Sequence, residues 1–333
     1  MRIGLIGAGR IGANHAETLV GLPAVEAVLI HDPDVERAAA IADKTGARRA
    51  DTVDDLLAAV DAVVIATPTG THAELIRRSA AAGLPVFCEK PVAASLVETR
   101  AVLTAVAEAG VELQVGFQRR FDTGIAAVRE AVASGRLGTV HTLRSCTSDA
   151  APPPAAYIAT SGGIFRDCAV HDFDAVRWAS GQEVVSVYAT GANTGAEFFA
   201  EASDVDTAVT VLTLSNGTLA VCTATRYNGA GYDVRLEACG SAGTLVAGLT
   251  DRSPLPSADT GVTPPTPYQG FADRFAGAYA AELTAFTELV AGSRTNPCTG
   301  ADALAALLVA EAAELSRREG RPVAMAEVGV EVQ

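Results

Sequence analysis

Gly7-Ala8-Gly9-Arg10-Ile11-Gly12 follows the apolar run Ile3–Ile6 and opens an alanine-rich stretch with helical spacing. In a strand–turn–helix unit the first glycine allows the tight turn. The second lets the backbone approach a pyrophosphate, and the third lets helix and strand pack closely. The next apolar run ends at Asp32, 20 positions after Gly12. A carboxylate there accepts hydrogen bonds from a ribose diol. Together these signals predict a dinucleotide cradle of Gly7, Gly9, Arg10, Ile11, Gly12 and Asp32. An acid at that place repels a 2′-phosphate, and no Arg or Lys follows it in Asp32-Pro33-Asp34, so NAD is expected over NADP. Read as a turn residue before Pro33, Asp32 would carry no such information.

From that unit the pattern repeats. Strands are expected near Ile3–Ile6, Val25–Ile30, Ala62–Ala66, Pro85–Cys88 and Val111–Val115. Helices are expected near Arg10–Val20, Val35–Lys44, Val53–Ala59, His72–Ala82 and Leu96–Ala109. Such alternation implies right-handed crossovers and a doubly wound parallel sheet. Ligands of open α/β sheets bind beyond the carboxyl ends of the strands. Thr67-Pro68-Thr69-Gly70-Thr71-His72 and Glu89-Lys90-Pro91 each follow a predicted strand. Thr67, Pro68, His72, Glu89 and Lys90 therefore join the expected cofactor edge, with Lys90 near the nicotinamide. As a bland alternative, Lys90 beside Glu89 is a surface ion pair.

After about Phe121 the rhythm changes. A helix at Gly124–Ala133 leads to Gly138–Cys146, a triple-proline loop at Pro152–Pro154, and a helix carrying Asp167 and His171. β-type runs follow at Glu183–Gly191, Asp206–Leu214, Gly217–Arg226 and Tyr232–Ala238. Asn216-Gly217 between two of them signals a hairpin, so this second sheet should be mainly antiparallel. Helices at Phe271–Val290 and Ala301–Glu319 end the pattern. The expected division is 1–120 for the nucleotide domain and 121–333 for an α+β domain, to which the resemblance described below assigns substrate binding and oligomer formation.

Gly162-Gly163-Ile164-Phe165-Arg166-Asp167-Cys168-Ala169-Val170-His171-Asp172-Phe173-Asp174 places an acid and an imidazole four residues apart. Four apart is one helical face. Ala169, Phe173 and Val176 follow the period on one side, while Asp167, His171, Asp174 and Trp178 follow it on another, off the core-facing stripe. Such a pair can handle a proton, although a surface or capping contact accounts for the spacing as well.

The 333 residues are 49% hydrophobic and carry a net charge of −14. That much apolar material supports one large or two medium cores. The acidic balance argues against a nucleic-acid partner, which needs a basic surface. No stretch has the length of a membrane span, and the start lacks the pattern of a signal peptide, so no membrane partner and a cytoplasmic location are expected. Cys88, Cys146, Cys168, Cys222, Cys239 and Cys298 are scattered without a C-x-x-C pair. They read as small buried hydrophobes, and no metal is expected.

Gly7-x-Gly9-x-x-Gly12, Ala66-Thr67-Pro68-x-x-x-His72, Cys88-Glu89-Lys90-Pro91 and Gly162-Gly163-x-x-x-Asp167-x-x-x-His171 resemble, in this order, the motifs of the Gfo/Idh/MocA oxidoreductases. Gly116-Phe117-Gln118-Arg119-Arg120-Phe121-Asp122 and His171-Asp172-Phe173-Asp174 are most similar to the inositol 2-dehydrogenase branch. The resemblance implies an N-terminal Rossmann domain, with its doubly wound parallel sheet, and a C-terminal α+β domain whose sheet face often builds an oligomer, here a homo-tetramer. It implies that Lys90, Asp167 and His171 form the catalytic group, and that Arg120 contacts polyol hydroxyls. Tyr157, Tyr227 and Tyr268 are candidates for lining the pocket, or else ordinary packing residues. In oxidation of a secondary alcohol His171 would be the base, Asp167 its orienter or a hydroxyl partner, and Lys90 the stabiliser of alkoxide charge. The expected function is NAD-dependent oxidation of a cyclic polyol, myo-inositol to 2-keto-myo-inositol. The alternatives are a pyranose or another inositol isomer as substrate, an NAD-using glycosidase, and a non-catalytic dinucleotide sensor.

Overall fold

The computed structural model describes Met1–Val328. The chain divides into two compact units, one of Met1–Gln118 with Gly277–Leu304, the other of Arg119–Ala276 with the chain from Ala305 onward.

The first unit is built on β1 (Arg2–Ile6), β2 (Ala27–His31), β3 (Arg48–Arg49), β4 (Ala62–Ile65), β5 (Val86–Glu89) and β6 (Leu113–Gly116). Between them run α1 (Arg10–Gly21), α2 (Val35–Thr45), α3 (Val53–Ala59), α4 (His72–Ala81) and α5 (Leu96–Ala109). The sheet order is β3-β2-β1-β4-β5-β6, and all neighbours are parallel. Ala62-Val63-Val64-Ile65 shows the reason: a strand covered by helices on both faces needs an unbroken apolar run, and all four residues are buried. The strand order reverses at β1 and β4, which puts a crevice beyond their carboxyl ends. β3, two exposed arginines, has no hydrophobic signature and escapes sequence reading.

The second unit contains α6 (Thr123–Ala133), β7 (Val140–Ser148), α7 (Ala155–Ile158), α8 (Val170–Ser180), β8 (Val184–Ala192), α9 (Phe198–Glu201), β9 (Thr207–Leu214), β10 (Leu219–Thr225), β11 (Asp233–Gly240), β12 (Gly243–Ala247) and α10 (Phe271–Arg274). Two long helices follow, α11 (Ala276–Val290) and α12 (Gly300–Glu319), then β13 (Val323–Ala324). The sheet order is β12-β11-β7-β10-β9-β8-β13. Only β7 and β10 run parallel; the other neighbours are antiparallel. Asn216-Gly217 forms the β9–β10 hairpin, with Gly217 at φ +87° where a β-carbon would be strained. One face of the sheet supplies Leu143, Leu212, Ala220 and Leu236 to a core shared with Val128, Phe173, Val176 and Val309. The other face presents Val185, Tyr188, Val209, Leu219 and Val221 at 37–47% exposure.

The chain does not part once at 120/121. Helix α11 returns to the first unit because Leu283, Phe286 and Leu289 pack into the core of Ile3, Leu5, Val64 and Phe87. The Phe286 and Phe87 rings lie 5.9 Å apart. The two helices expected at the end also differ in one detail, since Phe275 separates α10 from α11. Phe286→Ala should destabilise the first unit by about 3–5 kcal/mol through lost burial and a residual cavity. Leu249→Ala, at a site 56% exposed, should cost well under that. Denaturant unfolding of the two variants tests the assignment of α11 to this core.

Candidate active site

In the first unit the glycine loop has the geometry its sequence requires. Gly7 sits at φ +101°, and a β-carbon on Gly12 would fall 1.9 Å from the Gly7 carbonyl oxygen. A β-carbon on Gly9 would meet nothing within 4 Å, leaving that side of the loop open to a ligand. No side chain caps the start of α1 and no acid stands in its first turn. Those N–H groups and the helix dipole are therefore available to an anion. Asp32 is 7% exposed and immobilised: one carboxylate oxygen accepts from the Ala8 N–H at 2.7 Å, the other from the Asp34 N–H at 2.8 Å. A fixed carboxylate beside an open glycine loop and an uncapped helix start fits a dinucleotide, with Asp32 toward the ribose diol.

Arg37 is a neighbour that the linear sequence did not expose. From the first turn of α2 it pairs with Asp34 at 2.9 Å and stands 3.7 Å from Asp32. Helical geometry, not adjacency, brings it there.

His72 does not reach outward. It is 1% exposed and its ring nitrogens lie 2.7 Å from the Pro91 carbonyl oxygen and 2.8 Å from that of Thr67. It thereby ties the loop after β4 to the loop after β5. Thr67 accepts a hydrogen bond from Thr71 at 2.7 Å, and Thr71 also donates to the Pro68 carbonyl. Glu89 turns inward, its Oε1 2.7 Å from His15 Nε2, while the half-buried Lys90 begins the next loop with a cis bond to Pro91.

In the second unit the acid and the imidazole do not share one regular helix. Residues Phe165–Ala169 form a wide π-type turn, and α8 begins only at Val170. Asp167 thus lies in the wide turn and His171 in the first turn of α8. Gly162 at φ +84° and Gly163 at φ +89° permit the entry, where Asp204 accepts from the Ile164 N–H at 2.9 Å. The turn is pinned on two sides. Arg166 forks onto Glu311 at 2.7 and 2.6 Å, and Asp167 accepts from Arg226 at 2.7 Å and from the Tyr157 hydroxyl at 2.8 Å. Arg226 also holds Asp149 at 3.0 Å. Burial opposes the charge of Arg226, but the carboxylates of Asp167 and Asp149 outweigh it and raise its pKa. Burial holds Asp149 above the usual carboxylate range, against the pull of Arg226.

The supposed polar face of the helix is not solvated. Asp172 and Asp174 are both fully buried. Asp172 pairs with Arg119 at 2.8 Å, and Asp174 takes the Arg120 fork at 2.9 and 2.6 Å. The Arg120 guanidinium is thus directed onto α8. Tyr227 is 38% exposed; its hydroxyl accepts from the Ala196 N–H at 3.0 Å, and its ring covers Gly195. Tyr268 lies under the guanidinium of Arg252 at 4.3 Å and near that of Arg274 at 5.7 Å. The structure joins Tyr157 to Asp167 directly. Arg226 and Asp149 escaped the sequence reading, because no spacing rule links Asp167 to an arginine 59 residues away.

A crossover sheet with an open glycine loop and a fixed ribose-side acid defines a dinucleotide-dependent oxidoreductase. The model of the oxidoreductase family with an NAD-binding Rossmann fold matches residues 1–117, and the GFO/IDH/MocA C-terminal domain matches residues 125–246. The chain belongs to the Gfo/Idh/MocA family and is an NAD-dependent dehydrogenase. It is 39% identical to an inositol 2-dehydrogenase of Rhizobium meliloti, covering 98% of this chain and 99% of that one. The crystal structure of a myo-inositol dehydrogenase from Corynebacterium glutamicum aligns with TM-score 0.89 at 36% identity over 97% of this chain and 98% of that one. The scyllo-inositol dehydrogenase of Lactobacillus casei, solved with NAD(H) and scyllo-inositol, aligns with TM-score 0.87 at 27% identity over 98% and 99%.

Gly12→Ala should abolish NAD binding in a calorimetric titration, because its β-carbon would displace the Gly7 carbonyl. Gly21→Ala, in the last turn of α1 with open space around it, should bind NAD as the unmodified protein does. Equal affinity for both variants would refute the cradle assignment.

Proposed function

We propose that the protein oxidises one secondary hydroxyl of an inositol, myo-inositol first, giving 2-keto-myo-inositol. The observation that carries this reading is the full-length similarity to inositol dehydrogenases, joined to an Asp167 carboxylate fixed by Arg226 and Tyr157 four residues before His171. NAD, when bound, supplies the hydride acceptor.

His171 accepts the hydroxyl proton, since an imidazole with a solution pKa near ~6.5 can take a proton and release it near neutrality. Lys90 stabilises the negative charge that develops on the oxygen. Asp167 has its oxygens engaged by Arg226 and Tyr157, so it orients neighbouring groups and leaves the proton to His171. Tyr157, 47% exposed and already donating to Asp167, offers its oxygen as an acceptor for a second substrate hydroxyl. On this reading Lys90, Tyr157, Asp167 and His171 meet the polyol, whereas Arg120, Tyr227 and Tyr268 shape the walls. The scyllo isomer is the second candidate, because the Lactobacillus casei relative was solved with it.

Several hydroxyl contacts make such a site sensitive to stereochemistry, because loss or inversion of one hydroxyl strands its partner. NADH formation should be fastest with one inositol isomer and rise with pH, since only a neutral imidazole accepts a proton. His171→Ala should lower kcat by on the order of 10² with NAD affinity nearly unchanged. Robust turnover of a pyranose with none of any inositol would sink the substrate assignment, and near-normal turnover by the variant would make the imidazole structural.

We also propose a homo-tetramer that uses the outer face of the second sheet. Val185, Tyr188, Val209, Leu219 and Val221 form an apolar patch there, at 37–47% exposure each. A closed assembly would bury it. The six cysteines are joined in no disulfide among the described residues, which suits a reducing compartment and supports a cytoplasmic location. Light scattering at micromolar concentration should give four times the 33.9 kDa chain mass. A monomeric mass would reject the assembly.

A further inference from the structure

The interior of the first unit holds three ionisable side chains on three different elements. His15 of α1 and Glu282 of α11 are fully buried, and the Glu89 side chain, ending β5, is 16% exposed. His15 Nε2 and Glu89 Oε1 lie 2.7 Å apart, and one nitrogen or oxygen from each of the three lies within 4.8 Å of the others. Among the described residues, neither carboxylate oxygen of Glu282 has a hydrogen-bond partner, and neither does Nδ1 of His15. The walls are apolar or aromatic. The His15 ring meets Phe87 edge-on at 5.7 Å and Tyr279 at 6.0 Å. From β6, the Gln114 amide donates to the Glu282 backbone carbonyl at 3.0 Å, not to its carboxylate.

Two carboxylates this close in a dry interior cannot both stay ionised without a large penalty, because each lacks solvent and each repels the other. Glu89 has the imidazole and some access to solvent. Glu282 has neither, and burial followed by the charge of Glu89 pushes its pKa well above the ordinary range. The titratable groups facing it are His15 from α1 and Glu89 from β5, while Gln114 from β6 meets its backbone carbonyl and Tyr279 from its own helix meets the His15 ring. Among the described residues, no Lys or Arg is shown paired with it.

We propose that His15, Glu89 and Glu282 form a proton-holding clamp, in which Glu282 stays protonated beside the Glu89 carboxylate and thereby fixes the end of β5 from which Lys90 projects. Glu282 is then a positioning residue for Lys90. That second half rests on the role given to Lys90 above; the proton itself does not.

The unfolded chain ionises this glutamate near pH ~4.3, whereas the folded protein retains the proton. A raised folded-state pKa gives stability that is full below the unfolded value and is lost as pH rises toward the folded one. Each pH unit above ~5 should therefore raise the unfolding equilibrium constant by about tenfold relative to a variant lacking the group. Glu282→Gln keeps the shape and a donor without the titration. Denaturant unfolding from pH 5 to 8 should show that difference in slope between the unmodified protein and E282Q.

Infrared spectra of the unmodified protein in heavy water at neutral pD should show a protonated-carboxyl band that the spectrum of E282Q lacks. In turnover, E282Q should stay within about threefold of normal kcat. E282L, which folds but donates nothing, should lose about tenfold or more in kcat with NAD affinity unchanged. Equal pH slopes with no protonated-carboxyl band would overturn the clamp. So would one equivalent of divalent metal in the purified protein that E282Q lacks, since a cation would then be what the carboxylates hold. A normal slope difference with normal E282L turnover would retain the proton and remove its link to Lys90. The stability and infrared arms use no substrate, so they stand whether or not an inositol is turned over.

Discussion

Two consecutive guanidinium groups, on Arg119 and Arg120, meet two carboxylates two positions apart on α8, Asp172 and Asp174, and the placement of His171 follows from that match. The pairs are almost dry, with side-chain exposures of 2% and 0% for the first and 5% and 1% for the second. Residues two apart on a helix point to nearly opposite sides, so the arginines grip α8 on two flanks and fix its rotation as well as its position. Asp172 is further held by the hydroxyls of Ser145 and Thr147 from β7. The network satisfies both of its oxygens and links the helix to the sheet. Breaking one partner of such a pair costs about 3–5 kcal/mol, because a buried charge is left alone. An apolar replacement of both could be as stable, which suggests that the charges are kept for register. A helix that slid or turned would strand four charges together.

That network also explains where sequence reading stopped. The parallel sheet was legible because burial on both faces demands unbroken apolar strands, and Ala62–Ile65 satisfies it. The glycine loop was legible because Gly7 and Gly12 stand where backbone sterics admit nothing larger. The helix of His171 was misread for a physical reason. Hydrophobic periodicity assigns polar residues to the solvent, but Asp172 and Asp174 are polar and internal, neutralised by arginines more than 50 positions earlier. Those arginines stood in the sequence as a pair, and so did the acids. Only the fold shows that they answer each other. The return of α11 was hidden likewise, because Leu283, Phe286 and Leu289 read as one more apolar stripe without naming the core they fill.

The second hidden contact bears on chemistry. Arg226 carries one positive charge and holds two carboxylates, Asp149 at 3.0 Å and Asp167 at 2.7 Å. Neutralising both is impossible, and the deficit falls on the acid with less support. Asp149 is the one driven up, first by burial and in part by the charge of Asp167. Asp167 keeps the shorter contact with Arg226 and gains the Tyr157 hydroxyl. A carboxylate anchored in this way has little left with which to abstract a proton. It can fix the orientation of what it touches, and the wide turn that carries it runs directly into α8, whose first turn holds His171.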